Sequence, residues 1–517
     1  MKQHSRATTS PRTNSTESGT MERERAGSSR KAQEASTAAP WESVPAHEQL
    51  FVLITGANSG IGLGTAKRLT DEFLVTRSQT AHLVLITTTR SRAKSRQTIR
   101  ALRAHTADKR AGGRVHVLSL TLDLCDLRHV RAFAGALVDG FVANPPDDDG
   151  EVDELGCVRV PRLDAVVFNA AYGGWVGCDY ASAVRSFLSK GLVQSVTWPD
   201  FKTALPTGIL NERAEYGYPD EPLLGEVFTT CVFGHYMLAH QLLPLLSRPA
   251  SSPLAPGRLI WSSSIEAVSS VFTMDDIQCL ARPAAYESAK RLTDLLSLTA
   301  SLPAARPYSS RWLTLPWSEK TTVPPTVYLT HPGVVASTLF PVPWFLFWIY
   351  ELTLVLSRWL GSPWHTVDSQ SGAKAAVWVA LQDQSALDGL RAERVKWGSS
   401  ADCRRRVDVK MTEVEGWGWE GRPENEAARA ADAAHGILHR SKGRKHGAAD
   451  TTAEDIIRFE EVGAACWREM EELRTRWDDW LDKEESLGRR ALTGVRTKKQ
   501  QEVDQGQIRY RKSNSTL

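Results

Sequence analysis

The chain has 517 residues, 42% hydrophobic and 24% charged, with 63 Lys and Arg against 60 Asp and Glu. That apolar content excludes a wholly disordered or collagen-like chain, and the near balance of charge excludes a dedicated nucleic-acid binder, which concentrates basic residues. Its 7 cysteines are scattered without CxxC pairing or metal-ligand spacing, which reads as reduced thiols facing the cytosol and no metal site.

Residues 1–47 are rich in Ser, Thr, Arg, Glu and Gln and carry no apolar period. They read as a disordered tail, because such a stretch buries too little surface to offset its ordering entropy. Order begins at Leu50 to Ile54, an unbroken apolar run of the kind that forms a fully buried parallel strand. Similar runs follow at Leu83 to Ile86, Val115 to Leu120, Ala165 to Phe168, Leu259 to Trp261 and Thr326 to Leu329. Helix-length segments such as Gly62 to Phe73 and Ser91 to Ala104 lie between them. Strands alternating with helices predict right-handed crossovers and an α/β fold with a doubly wound parallel sheet.

Three stretches depart from the alternation. Asn144 to Pro161 is acidic and turn-rich, which predicts an exposed loop. Cys178 to Leu224 is a proline-containing insertion. Beyond Trp397 the chain turns polar, with a Trp417-Gly418-Trp419 cluster and a basic stretch near Arg440 to His446. One final helix stands out, because Ile456, Phe459, Gly463, Cys466, Met470, Leu473, Trp477 and Trp480 alternate steps of three and four along one seam. The seam suits docking on the main domain or, alternatively, a coiled-coil partner. The domain reading is therefore a tail at 1–47, a Rossmann-type catalytic domain at 48–396 with an insertion at 178–224 and a lid at 339–364, and an extension at 397–517 with an amphipathic helix over about 453–483.

Directly after the first strand comes Thr55-Gly56-Ala57-Asn58-Ser59-Gly60-Ile61-Gly62. Gly56 permits a tight turn, Gly60 lets the backbone approach a pyrophosphate, and Gly62 lets helix and strand pack closely. The helix N-terminus then offers free N–H groups and the positive end of its dipole. This TGxxxGxG spacing resembles the short-chain dehydrogenase/reductase family. Asp123-Leu124 after the third strand and Asn169-Ala170-Ala171 after the fourth match further elements of it. The resemblance adds Ser59, Ile61, Asp123 and Asn169 to the cofactor-binding residues. The second strand ends in Thr87-Thr88-Thr89-Arg90-Ser91, with no acidic residue to take a ribose 2′-hydroxyl. Arg90 suits the 2′-phosphate of NADPH instead.

Tyr286 and Lys290 form the Y-x-x-x-K element, and positions i and i+4 share a helical face. A cation beside a phenol favours phenolate and so makes Tyr286 a better proton donor to a developing alkoxide. The resemblance assigns Ser264, at the end of Arg258-Leu259-Ile260-Trp261-Ser262-Ser263-Ser264, to the substrate carbonyl, with Thr273 as fallback because an insertion lengthens the segment to Tyr286. His331-Pro332-Gly333-Val334-Val335-Ala336-Ser337 matches the PGxxxT element, so the Val335 backbone and the Ser337 hydroxyl would hold the nicotinamide carboxamide. In Thr230-Cys231-Val232-Phe233-Gly234-His235, Cys231 occupies the position where the family often carries the Asn of a proton relay. A thiol is a weaker hydrogen-bonding group, so the relay is impaired or rebuilt by water or a neighbour such as Thr230.

Leu339 to Leu360 approaches membrane-spanning length but contains Pro341, Pro343, Glu351 and Arg358, and a charge at mid-helix costs about 2.5–3.5 kcal/mol on insertion scales. Trp344, Trp348, Trp359 and Trp364 suit a headgroup-level position. An interfacial helix or hairpin is favoured over a buried lid or a true span. Around Cys231 to Leu238, Leu259 to Ser264, Asp294 to Ser297 and Val395 to Gly398, the chain is similar to the fungal 3-keto-steroid reductase branch of the family. That resemblance implies NADPH-dependent reduction of the 3-ketone of a sterol C4-demethylation intermediate. It also implies a place on the cytosolic face of the endoplasmic reticulum membrane or on lipid droplets, in contact with the other demethylation enzymes. Reduction of another lipid carbonyl, a retinoid or fatty aldehyde, and a catalytically weakened scaffold are the alternatives.

Overall fold

The computed structural model describes residues 39–107, 113–146, 155–204, 206–211, 221–314, 321–337, 339, 342–423 and 443–513, with side chains described as far as 487. Residues 1–38 of the expected tail lie outside it, as do 147–154 of the acidic loop and the stretch at 440–442. Ala39 and Trp41, expected in that tail, are buried in the core of the domain. Trp41 is buried and packs edge-on against Phe51, ring centroids 5.8 Å apart, and its carbonyl accepts from the Gln49 side chain at 2.8 Å. One large aromatic gives the segment from Ala39 a reason to dock that its polar neighbours conceal.

The chain builds β1 (Gln49–Ile54), α1 (Gly60–Thr76), β2 (His82–Thr89), α2 (Arg92–Ala107), β3 (Val115–Thr121), α3 (Leu127–Asp139) and β4 (Ala165–Phe168). The insertion follows as a hairpin of β5 (Trp175–Cys178) and β6 (Lys202–Ala204) enclosing α4 (Tyr180–Lys190) and α5 (Leu192–Thr197). Next come α6 (Gly234–Gln241), β7 (Arg258–Ser262), α7 (Ala285–Thr299), α8 (Arg306–Trp312), β8 (Thr326–His331), α9 (Phe347–Trp359), α10 (Lys374–Leu381), β9 (Lys396–Ala401), β10 (Val407–Thr412) and α11 (Ala453–Ser513).

The main sheet has the order β10-β9-β8-β7-β4-β1-β2-β3, parallel except for β10. Successive side chains of a strand face opposite sides, so Phe51 and Leu53 join one core and Val52 and Ile54 the other. The chain reverses direction across the sheet between β1 and β4. That reversal opens the crevice at the strand carboxyl ends where α/β sheets bind ligands.

Two boundaries differ from the sequence reading. Strands β9 and β10 carry the sheet past residue 396, so the catalytic domain does not end there. Lys396 to Ala401 is polar in sequence yet buried throughout. Helix α11 is longer than its expected 453–483, and its seam is occupied by the domain. Trp467 donates to the Leu296 carbonyl of α7 at 3.1 Å, Gly463 sits against Thr299, and Phe459, Cys466, Met470, Leu473, Trp477 and Trp480 are all buried in the same core. All 15 residues of α7 are buried as a result.

Candidate active site

Thr55 organises the glycine loop. Its hydroxyl receives the N–H groups of Asn169 at 3.0 Å and Ala170 at 3.1 Å, and lies 2.8 Å from His235 Nε2. The Asn169 amide donates to the Thr55 carbonyl at 3.0 Å, joining the ends of β1 and β4. Gly56 has φ 65°, and a Cβ on Gly62 would meet the Gly56 carbonyl at 2.3 Å, so neither position accepts a side chain. A Cβ on Gly60 would meet open space. Ser59 precedes α1 without a side-chain capping bond, so the first N–H groups of the helix, at Gly60, Ile61 and Gly62, face that space. This fits a dinucleotide pyrophosphate.

Arg90 is exposed at the carboxyl end of β2. The Asp123 carboxylate accepts the Cys125 N–H at 3.0 Å, which fixes the turn after β3. After β8, Val334 donates to the Trp364 carbonyl at 2.7 Å and Ala336 to the Val367 carbonyl at 2.8 Å. The intervening Val335 N–H has no backbone partner among the described residues, and Ser337 follows it half-buried.

Tyr286 and Lys290 lie one turn apart on α7, and the Lys290 Nζ is 5.5 Å from the Tyr286 ring centroid. Ser264 lies close enough to the Tyr286 phenol to favour its ionised form. Thr273 precedes a 3-10 turn at Met274–Asp276. The lengthened segment is held by Asp276, whose carboxylate accepts from Leu280, Ala281 and Arg282. The electrostatics differ from the simple expectation. Burial pushes the Tyr286 phenol well above the ordinary tyrosine range, Cys231 and Glu266 add to this, and the Ser264 hydroxyl partly offsets it. Lys290 is also buried, which lowers its pKa, and it donates to the Ser262 carbonyl at 2.7 Å. In this state the phenol is firmly protonated, as a proton donor must be.

Cys231 lies on a π turn, Thr229–Phe233, with its buried thiol 3.5 Å from the Tyr172 carbonyl. Burial raises the thiol pKa while Lys290 lowers it. Thr230 is committed elsewhere, since its hydroxyl donates to the Glu226 carbonyl at 2.8 Å and meets Cys125 Sγ at 3.0 Å.

Sequence reasoning missed the groups that brace this core. Lys396 donates to the Ser264 carbonyl at 2.7 Å and to Asp294 at 2.6 Å, and Ser263 donates to the same carboxylate at 2.5 Å. Lys202 of β6 also reaches the site, where it pairs with Glu266 and Glu287. Ser263, Asp294 and Lys396 lie in stretches shared with the reductase branch, but no local motif marks their pairing.

After β8, a 3-10 turn at Trp344–Leu346 exposes Trp344 (87%) and α9 exposes Trp348 (63%) and Trp359 (63%), while Leu354, Ser357 and Arg358 are buried. Trp364 corrects the aromatic-belt reading. It is buried and donates to the Gly443 carbonyl at 2.6 Å. Among the described residues no helix is long and apolar enough to cross a membrane.

A doubly wound sheet with a glycine loop after β1, Asn169 after β4, and a Ser–Tyr–Lys group between β7 and α7 defines a short-chain dehydrogenase/reductase. No family profile matches the chain. It is 58% identical over 464 residues to the 3-keto-steroid reductase of Gibberella zeae, covering 86% of this chain and 97% of that one. It is 39% identical over 462 residues to the 3-keto-steroid reductase of Aspergillus fumigatus, covering 85% and 96%. Among solved structures, salutaridine reductase from Papaver somniferum aligns with TM-score 0.36 at 16% identity, over 65% of this chain and 96% of that one. The chain belongs to the 3-keto-steroid reductase family.

Proposed function

We propose that the chain reduces the 3-ketone of a sterol C4-demethylation intermediate to the 3β-alcohol with NADPH. The observation that carries this reading is the buried Tyr286 phenol, close to Ser264 and Lys290, in a chain that is 58% identical to a 3-keto-steroid reductase. Gly56, Gly60, Ile61 and Gly62 would take the pyrophosphate, Arg90 the 2′-phosphate, and Val335 with Ser337 the carboxamide. When bound, the cofactor supplies a hydride to the carbonyl carbon.

The chain's own residues handle the oxygen. Ser264 orients the carbonyl, and Tyr286 delivers its proton to that oxygen as negative charge develops. Lys290 then stabilises the phenolate left behind, so its charge matters most after proton transfer. Cys231 cannot match an amide in a relay, which leaves water as the carrier that reprotonates Tyr286.

The exposed tryptophans of α9 support docking on a lipid surface, since an indole suits the boundary between hydrocarbon and water. A sterol would then enter from the membrane beneath α9. We place the protein on the cytosolic face of the endoplasmic reticulum or on lipid droplets, beside the enzymes that make its ketone. The buried seam of α11 argues against a scaffold that recruits partners through that seam. Sterol profiling of cells lacking the protein tests the reading. Accumulated 3-ketosterols are expected, and an unchanged profile would overturn it.

A further inference from the structure

The insertion between β4 and β7 delivers a charged side chain into the heart of the site. Lys202 of β6 is only 4% exposed. Its ammonium pairs with the Glu266 carboxylate and, at 2.5 Å, with that of Glu287. It also lies 3.9 Å from the Trp175 ring centroid and 5.9 Å from that of Tyr286. Trp175, on the partner strand β5, packs edge-on against Tyr286 at 4.7 Å and donates its indole N–H to Glu287 at 3.3 Å.

The positions of the two glutamates give this cluster its meaning. Glu287 directly follows Tyr286 on α7. Glu266 comes two residues after Ser264, and its N–H donates to the Ser264 hydroxyl at 3.1 Å. One ammonium thus ties the loop that carries Ser264 to the helix that carries Tyr286. A buried charge is costly unless paired, so the arrangement holds only while all three groups keep station. Burial works against the charge on Lys202, yet the two carboxylates hold its pKa above the ordinary lysine value. The ammonium of Lys202 is therefore held in its charged form.

We propose that Lys202 is a positioning residue for the reduction, holding the Ser264 hydroxyl beside the Tyr286 phenol by bridging Glu266 and Glu287. This rests on the reductase reading given above. The lengthened segment between Ser264 and Tyr286 gives the proposal its physical motive, because a longer connection fixes the spacing of its ends less tightly. The insertion then supplies from outside the constraint that a short connection would provide.

The test compares the full chain with Lys202→Met, Lys202→Arg and a triple variant, Lys202→Met with Glu266→Gln and Glu287→Gln. The triple variant removes the carboxylates that would otherwise be stranded in the interior, so a folding failure of Lys202→Met does not end the test. Crystal structures of parent and variants are read whether or not a ketosterol is turned over. In the Met-containing variants the Ser264 and Tyr286 hydroxyls are expected to move apart. In steady-state assays with NADPH and a 3-ketosterol, kcat is expected to fall about a hundredfold, the scale set by an ångström of misplacement. KM for NADPH should stay near the parent value, and Lys202→Arg should restore most of kcat. An unchanged separation of the Ser264 and Tyr286 hydroxyls in the Met variants would overturn the proposal, as would an unchanged kcat. Equal loss of NADPH affinity and kcat, unrelieved by Lys202→Arg, would also overturn it by indicating a merely structural role. A parent chain that reduces no ketosterol contradicts the functional reading alone, and the structural comparison still decides the clamp.

Discussion

Lys396 and Asp294 form an ion pair at 2.6 Å with side chains 3% and 1% exposed. The pair joins β9 to α7, and through the Ser264 carbonyl and the Ser263 hydroxyl it grips the end of β7 from both sides. Removing one partner leaves an uncompensated charge where water cannot reach. Lys396→Met should therefore lower unfolding free energy by about 3–5 kcal/mol, and adding Asp294→Asn should recover part of the loss. Urea titrations of the three proteins check this. A loss no larger than that of an exposed ion pair would contradict it.

Arg90 carries the cofactor preference. It stands exposed where β2 ends, with only threonines and serine beside it. Arg90→Ala should weaken NADPH binding by about tenfold, the scale of one charge-assisted hydrogen bond, and leave NADH binding almost unchanged. Fluorescence titration with the two cofactors separates these outcomes. Equal weakening of both would remove the 2′-phosphate from the account.

The lid should act as a membrane anchor. Each large apolar side chain moved out of water contributes roughly 1.5–3 kcal/mol. Replacing Trp344, Trp348 and Trp359 together by Ser should shift the protein from the liposome to the soluble fraction in flotation. NADPH binding should be unaffected, since none of these rings is among the residues assigned to the cofactor. Retention of the triple variant on liposomes would move the anchor elsewhere.

Four histidines predict how stability responds to acid. Burial lowers His235 and His365 to about 3 and His116 to about 4, and holds His331 well below its ordinary value. In each case the unfolded chain binds the proton more readily. The associated stability is therefore complete above about pH 6.5 and is lost as pH falls towards the folded values, by up to about 1.4 kcal/mol per unit for each histidine. Unfolding free energy measured between about pH 7.5 and 5.5 should already decline, well above the range where carboxylates titrate. A flat profile there would contradict the buried neutral imidazoles.

The parallel strands β1 to β4, β7 and β8 were legible because strands buried on both faces read as unbroken apolar runs. β9 was not, although it is equally buried, because its polar residues are satisfied by distant partners. Lys396 finds Asp294, and Ser399 donates to the Gly372 carbonyl at 2.7 Å while accepting from Ala375. The glycine loop and the Tyr–Lys pair follow fixed local spacings, whereas Ser264 was placed by the end of β7 because the segment to Tyr286 is lengthened. The clamp of Lys202 on Glu266 was not, for it closes across 64 residues and leaves no period or motif behind. The seam of α11 announced a helix with one apolar face, and only the structure supplied its partner, the back of the helix that carries Tyr286.

The central claim is that Tyr286, held by Ser264, delivers a proton to a sterol 3-ketone. It is tested most directly by incubating the purified chain with NADPH and a 4-methyl-3-ketosterol in detergent micelles, beside Tyr286→Phe. The account predicts NADPH oxidation matched by formation of the 3β-alcohol, with kcat reduced by about 10²–10⁴ in the Phe variant and NADPH still bound by both. NADPH binding without oxidation in the parent, or undiminished turnover in Tyr286→Phe, would contradict it.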